Sequence, residues 1–213
     1  MQDTACAPGG NFDLSPWALQ LPTGSKGRIA IVGSKNLQGC DGYTGPTFFT
    51  DKSSGAMVKH CRTELREVNR DTGRNAKWSP TGTNTLTVDM RVVAADDGGH
   101  GAAIGQVFAS DASRPLAEMY YSQTGEITVG VKPNATGNQV ITTLGNVPVG
   151  QKFTYVMSYS DNVLSISING DKTILDTFEW ESPKCYFKSG NYNQGKSGDS
   201  SEVHISAIEV VHA

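Results

Sequence analysis

The sequence is short of several things, and each shortage closes off a class of protein. Nowhere do apolar residues run for the roughly 18 positions that a membrane-spanning helix needs, so no transmembrane helix is expected. Positive charge is not in excess: 18 Lys and Arg against 21 Asp and Glu leave a formal net charge of −3. Such a chain has no overall field that gathers nucleic acid, so an anionic partner must be met by a local basic patch. Charged residues make up only 18% and hydrophobic ones 37%, the balance of a globular chain rather than a disordered one. Helical periodicity is also missing. The one short candidate, WALQLP at 17–22, is stopped by Pro22. No repeat and no linker divides the 213 residues, so a single domain over 1–213 is expected.

Cysteine is scarce, yet its four copies carry information. Cys6, Cys40, Cys61 and Cys185 are even in number, widely spaced and free of any CxxC pair. That pattern fits two disulfides in a secreted protein better than a zinc site. The chain opens MQDTACAPGG, with neither a basic nor an apolar leader region. The alternatives are a cytosolic protein or a leader already removed; the cysteines favour the second, and with it an extracellular location. The sequon Asn134-Ala135-Thr136 fits the same compartment.

What the chain does have is β-strand. RIAIVG (28–33), TLTVDMRVVAA (85–95), AAIGQVFA (102–109), EITVGV (126–131), KFTYVMSY (152–159) and EVHISAIEVV (202–211) are rich in β-branched and aromatic residues. Breaks of Gly, Pro, Asn and Asp separate them. VLSISINGDKTILDTF (163–178) alternates on both sides of Asn169-Gly170, a dipeptide that favours a two-residue hairpin. With 24 glycines for turns, the expectation is an all-β fold of about a dozen strands, a two-sheet antiparallel sandwich or jelly roll.

Three strands break the rule of one apolar and one blandly polar face. In KHCRTELRE (59–67), period-two alternation puts His60, Arg62, Glu64 and Arg66 on one face and Cys61, Thr63 and Leu65 on the other. In IGQVFA (104–109), Gln106 and Phe108 share a face. In CYFKSGNYNQG (185–195), Tyr186, Lys188, Gly190, Tyr192 and Gln194 share one face, and Cys185, Phe187 and Ser189 the other. Each row alone also fits a solvated strand surface. Set side by side, the three make a cationic, hydrogen-bonding groove suited to an extended anionic ligand such as a polyuronate. Gly190 would leave room for a sugar ring to approach the backbone. Cys61 and Cys185 fall on the core-side parity of their strands, so a Cys61–Cys185 bridge, leaving Cys6–Cys40, is one of the three pairings open to four cysteines.

RTELRE, QVF and YFKSGNYNQ resemble the three signature strands of the alginate lyases of polysaccharide lyase family seven, which read roughly R-[ST]-E-L-R, Q-[IV]-H and Y-F-K-x-G-x-Y-x-Q. WALQLPTG (17–24) is similar to that family's opening segment, and the motifs come in the family's order across nearly the whole chain. The resemblance implies a β-jelly roll with an open cleft that cleaves a 1,4-linked uronan by β-elimination. Such chemistry must neutralise the C6 carboxylate, remove H5 and protonate O4 of the leaving sugar. By the resemblance, Arg62 and Gln106 would neutralise the carboxylate, with Asn193 or a histidine assisting. Tyr192 would sit over the scissile bond. Glu64, Arg66, Lys188, Asn193, Gln194 and Phe108 would line the substrate path. A phenol is a weak base at its ordinary pKa of about 10; neighbouring cations favour the phenolate.

This sequence departs from the pattern at Phe108, where the family usually carries histidine. The departure argues against guluronate, whose H5 and O4 leave from opposite faces, and favours mannuronate-type alginate or glucuronan, in which one tyrosine can serve as base and acid. The alternative is that His60 supplies the missing imidazole. His100, in the loop DDGGHG, is a weaker candidate because loop tips are normally solvated, and His204 and His212 have no evident role. Two rivals from other classes remain. A glycoside hydrolase would need a second carboxylate across the bond, and Glu64 is the one acid on these faces. A carbohydrate-binding module would not require Tyr192. The elimination needs no cofactor. Acidic and carbonyl-rich loops suit a structural calcium ion, for which no spacing nominates ligands. Glycine-rich loops at 96–101 and 195–200 are candidate lids. The expected partner is an anionic polysaccharide bound by a monomer, with neither nucleic acid nor membrane involved.

Overall fold

A computed structural model describes residues 2–25, 28–195 and 201–213. Its fifteen strands are β1 (Trp17–Ser25), β2 (Arg28–Val32), β3 (Phe48–Thr50), β4 (Met57–His60), β5 (Thr63–Glu67), β6 (Asn84–Ala94), β7 (Ala102–Ala109) and β8 (Arg114–Tyr121), then β9 (Glu126–Val131), β10 (Val140–Asn146), β11 (Lys152–Ser160), β12 (Val163–Ile168), β13 (Asp171–Leu175), β14 (Cys185–Tyr192) and β15 (Glu202–His212). They form an eight-stranded sheet, β10-β9-β8-β7-β14-β5-β1-β2, and a seven-stranded sheet, β13-β12-β11-β6-β15-β4-β3. This is the expected jelly-roll sandwich, with two open antiparallel sheets. Among the described residues, helix is confined to one turn at Pro8–Asn11 and a 3₁₀ turn at Ser34–Asn36. No helix among the described residues is long and apolar enough to cross a membrane.

The core lies between the sheets, where alternation delivers one face of each strand. On β6, Leu86, Val88, Met90 and Val92 are buried while their neighbours along the strand are not. They meet Trp17, Leu65, Val107, Met119 and Phe187 from the other sheet. The β12–β13 hairpin turns at Asn169-Gly170 with φ of 53° and 96°, both left-handed, as a two-residue turn of the Asn-Gly type requires. The WALQLP segment, too short for a helix, is the start of β1.

One expected strand is two. Arg62 adopts φ 53°, and the Cys61-Arg62 turn carries the chain from β4 in one sheet to β5 in the other. The alternation that placed His60 beside Arg62 therefore stops at the turn. His60 sits opposite Glu202 of β15, on the seven-stranded sheet. Only Arg62, Glu64 and Arg66 remain with the eight-stranded sheet.

The Cys61–Cys185 bridge is also ruled out. On β14, Asn191 lies opposite Thr63 and Lys188 opposite Arg66, while Cys185 lies at the far end, opposite Ala109. Cys61 is beyond Thr63, so about 20 Å of strand at ~3.3 Å per residue separates the pair, far more than the ~7 Å Cα limit of a disulfide. Shared parity says which way side chains point, and nothing about distance along the strand. Both thiols are free, and Cys6–Cys40 is bonded. That bond spans a sequence separation of 34 residues, worth about 3–4 kcal/mol on loop entropy. Thiol titration of the denatured, unreduced protein should find two reactive cysteines, rising to four after reduction; none before reduction would mean that Cys61 and Cys185 are paired.

Candidate active site

Strands β5, β14 and β7 are neighbours at the centre of the eight-stranded sheet, so the three polar rows do lie side by side. Lys188 is flanked by Arg66 on one strand and Gln106 on the other; Gly190 faces Glu64, and Tyr186 faces Phe108. Leu65, Val107 and Phe187 from the same strands point into the core. Glu64, Arg66, Gln106, Phe108, Tyr186, Lys188 and Tyr192 thus share the outer, cleft face.

Glu64 ties this face together. It is 2% exposed. One carboxylate oxygen accepts the Gln106 amide at 2.8 Å, and the other is 3.4 Å from the Lys188 ammonium. A charge withdrawn from water needs such partners. Burial holds the Glu64 carboxyl above its usual range, Lys188 opposes that, and the like charge of Glu118 adds to it. Glu64 therefore orients Gln106 and Lys188. Gln106 keeps its second N–H and its carbonyl for a ligand.

Three cations on this face each stand over a ring. The Arg62 guanidinium is 5.4 Å from the Tyr192 ring centre, Lys188 Nζ is 4.6 Å from that of Phe108, and Arg66 is 5.8 Å from that of Tyr186. Arg66 also donates to the Tyr186 hydroxyl at 2.9 Å. Phe108 and Tyr186 pack at 5.0 Å. Phe108 is thus part of an aromatic pair under a lysine. Tyr192 is half-buried at the strand end, next to Arg62.

The inner side of β14 is polar too. The fully buried Lys59 of β4 donates to the Ser189 carbonyl at 3.2 Å, and burial drives its amine well below the ordinary lysine range. The Tyr155 hydroxyl reaches the Ile104 carbonyl and the Ser189 hydroxyl. These contacts fall where the register of β14 against β7 shifts, between Ser189 and Tyr192. A bulge interrupts the ladder, and side chains from the opposite sheet supply hydrogen bonds there. Asn191 donates to the carbonyls of Lys59 and Ser201.

Several expected site residues lie elsewhere. Asn193 is buried, and its side-chain oxygen accepts the Ser201 hydroxyl on this inner side. Its parity, that of Phe187 and Ser189, was a signal available in the sequence. His60 stacks on Phe49 at 5.7 Å and lies 3.7 Å from Glu202. Gln194 is exposed and donates to the Tyr192 carbonyl. At Gly190 the neighbouring strand itself requires glycine: a Cβ there would stand 2.4 Å from the Thr63 carbonyl oxygen and 2.7 Å from Glu64 Cα. Of the two candidate lids, 195–200 lies outside the described residues apart from Gly195.

Sequence reasoning missed Glu118 and Tyr120 on β8, which join the cleft face opposite Gln106 and Ala103. Glu118 accepts the Tyr120 hydroxyl at 2.7 Å and the Gln139 amide at 3.2 Å. His212 and Glu67 also have a structural role. Buried Glu67 accepts Trp78 Nε1 and the Phe187 N–H at 2.8 Å each and meets His212 Nε2 at 2.6 Å, joining the last strand to β14. A cavity of about 650 Å³ opens against these last residues, lined by Pro16, Trp78, Val211 and His212, and includes none of the cleft-face row. Among the described residues, the one group of three potential metal ligands is Asp3, Cys6 and Cys40, whose two sulfurs are already bonded to each other.

The family model for alginate lyases matches residues 12–212. The chain belongs to the alginate lyase family. Solved structures agree. Alginate lyase A1-II′, a member of polysaccharide lyase family seven, is 28% identical with a TM-score of 0.82, over 97% of this chain and 99% of that one. A variant of A1-II′ with one histidine and one tyrosine replaced, solved with a substrate, is 28% identical at a TM-score of 0.84, over 98% and 97%. Alginate lyase PA1167 from Pseudomonas aeruginosa is 25% identical at 0.81, over 94% and 100%. No curated protein sequence matches the chain. The resemblance read from three short motifs is thus a family membership, and the protein is a polysaccharide lyase.

In this alginate lyase fold the raised Glu64 has a pH signature. Its folded value lies above its ordinary 4.5, so the unfolded chain releases this proton first. The folded state is therefore favoured by this group below pH ~4.5, and that contribution fades as pH rises toward the folded value. Glu64→Gln should flatten the stability-against-pH curve in that window, measured by urea unfolding; an unchanged slope would mean that Glu64 is not raised.

Proposed function

We propose that this polysaccharide lyase cleaves a 1,4-linked polyuronate by β-elimination, with mannuronate-type alginate as the favoured substrate. The observation that carries the reading is the gathering of Gln106, Lys188 and Tyr192 on one sheet face by two adjacent strands, with Arg62 of the β4–β5 turn over the Tyr192 ring. A relative solved with its substrate supports the polymer class. The Cys6–Cys40 disulfide fits secretion into an oxidising compartment where such polymers occur.

The chemistry follows from those groups. Arg62 and the remaining N–H of Gln106 take the C6 carboxylate, so that charge developing at C5 is delocalised into it. The Tyr192 oxygen, as phenolate, takes H5. The C5 electron pair forms the C4=C5 double bond as the C4–O4 bond breaks. The phenol then returns its proton to O4 of the leaving sugar. One group serves both ends when H5 and O4 lie on the same side, as in mannuronate and glucuronate. Phe108 offers no proton-transfer group, which disfavours guluronate. Lys188 and Arg66 hold flanking sugars, and Glu64 positions Gln106 and Lys188. On the other sheet, with its ring between Phe49 and Glu202, His60 has no part in this scheme.

Hydrolysis is the weaker reading. Glu118 does supply a second acid on the cleft face. Its backbone is three strands from Glu64, about 14 Å at ~4.8 Å per strand, and its carboxylate is engaged by Tyr120 and Gln139.

Incubated separately with polymannuronate, polyguluronate and glucuronan, the protein should generate the ultraviolet absorbance of unsaturated uronate on the first. Comparable turnover of glucuronan would make that polymer the natural substrate, since the two sugars differ only at C2. Tyr192→Phe should lower turnover by at least about 100-fold and spare binding. A near-normal rate in that variant would remove Tyr192 from the chemistry. New reducing ends without absorbance would mean hydrolysis, and binding without either product a carbohydrate-binding module.

A further inference from the structure

We propose that His100 forms a further subsite for a uronate carboxylate, on the Tyr120 side of Tyr192; this rests on the polyuronate reading above. The loop that carries His100 joins β6 to β7, and it is fixed at both ends. Asp96 is 2% exposed, and one of its oxygens accepts the backbone N–H of Gln194 at 2.5 Å and of Gly195 at 2.7 Å. Those amides follow directly on Tyr192 and Asn193, so Asp96 pins the loop to the end of the strand that presents Tyr192. The fit is close. A Cβ on Gly98 would stand 2.8 Å from Gln194 Cβ and 2.9 Å from the Gly195 nitrogen. At the other end Gly101 takes φ +87° and donates to the Gly98 carbonyl, and a Cβ there would fall 1.9 Å from the Tyr121 carbonyl oxygen.

Held in this way, His100 projects onto the cleft face. Its ring centre is 5.6 Å from that of Tyr120. Tyr120 lies opposite Ala103, and Ala103 opposite Tyr192, so the three form one cross-strand row. His100 and Arg62 thus stand over the two ends of that row, each above a tyrosine. The acids nearby have other partners: Asp96 holds two amides, and Glu118 holds Tyr120 and Gln139. The Tyr120 hydroxyl is engaged as well, and burial pushes it far above its ordinary range. His100 itself is exposed and makes no hydrogen bond among the described residues. An imidazole offers one N–H when neutral and two when protonated, both suited to a carboxylate. A polyuronate carries a carboxylate on every sugar. With one held by Arg62 and Gln106, a neighbouring one is available to His100.

Binding in a turnover-blocked background tests this without relying on the reaction. Tyr192→Phe and Tyr192→Phe/His100→Ala are titrated with polymannuronate and with the same polymer after carboxyl reduction, by calorimetry or affinity electrophoresis. Loss of His100 should weaken polymannuronate binding by about 5- to 20-fold and leave the reduced polymer unaffected. His100→Gln, which keeps an N–H, should recover most of the loss. Asp96→Ala, which frees the loop, should weaken binding in the same direction. Affinity within twofold of the parent, or an equal loss on the reduced polymer, overturns the subsite. If wild type yields no unsaturated product while the His100 effect persists, the lyase chemistry fails and the subsite stands. If unsaturated product forms and the His100 effect is missing, the lyase chemistry stands and the subsite fails.

Discussion

The carboxylate of Glu64 is the contact on which the cleft face depends. It lies nearly out of water on β5 and reaches Lys188 on β14 and Gln106 on β7. A carboxylate in that position has no cheap alternative to these partners, because an unpaired buried charge costs several kcal/mol. Each partner is held by the same logic in reverse: Lys188 is 7% exposed and Gln106 3%. The three residues therefore fix one another, and with them the lateral placement of three strands. In the proposed chemistry Gln106 must present its free N–H to a substrate carboxylate. Glu64 achieves this by occupying the other N–H, leaving one direction for the amide to point.

This arrangement imposes a second one behind it. Seven of the eight positions of β14 are buried, because the strand sits mid-sheet, with the core on one side and the cleft's side chains on the other. A strand in that place would ordinarily be apolar. Here it bulges near Gly190, and the irregularity directs Tyr192 toward Arg62. Lys59 and Tyr155 of the opposite sheet support it, as does Ser201 just before β15, each hydrogen-bonded to β14. Burying an amine as deeply as Lys59 is costly, and its hydrogen bond to the Ser189 carbonyl lies within two residues of the bulge. The polarity of CYFKSGNYNQG thus has two origins. Lys188 and Tyr192 serve the cleft, while Ser189, Asn191 and Asn193 serve the internal bonds that hold the strand in shape.

Much of this was legible in the sequence, for a simple reason. Period-two alternation survives wherever a strand has one core face, so β6, β7, β9, β11, β12 and β15 could be read almost to the residue. The polar rows of β5, β7 and β14 could be read too, since exceptions to alternation stand out. What escaped were the points where backbone geometry changes without a marker residue. Arg62 takes a left-handed conformation usually left to Gly or Asn, so the break between β4 and β5 was invisible and His60 was carried onto the wrong sheet. On β8, a proline and register shifts against β7 blurred the alternation of RPLAEMYY, hiding Glu118 and Tyr120. The Cys61–Cys185 pairing failed differently, because parity fixes a face but not a position along it. Gly190 had a third cause: its constraint comes from the backbone of a strand more than a hundred residues away.

Phe108 is where sequence and structure together say most about chemistry. A phenylalanine in a polar cleft would ordinarily leave a gap in its hydrogen bonding. Here the gap is closed by a different kind of contact: the ring packs on Tyr186 and lies 4.6 Å from the Lys188 ammonium, which Glu64 anchors from the side. The cation on this flank can hold an anionic sugar, and the Phe108 ring beneath it offers no proton-transfer group. In the proposed chemistry, proton transfer is then left to the other flank, where Tyr192 stands beside Arg62. A base and an acid that are one and the same group can act only on a bond whose two ends present themselves on one side. That restriction would follow from which flank of the cleft is able to move protons, whatever the shape of its ends.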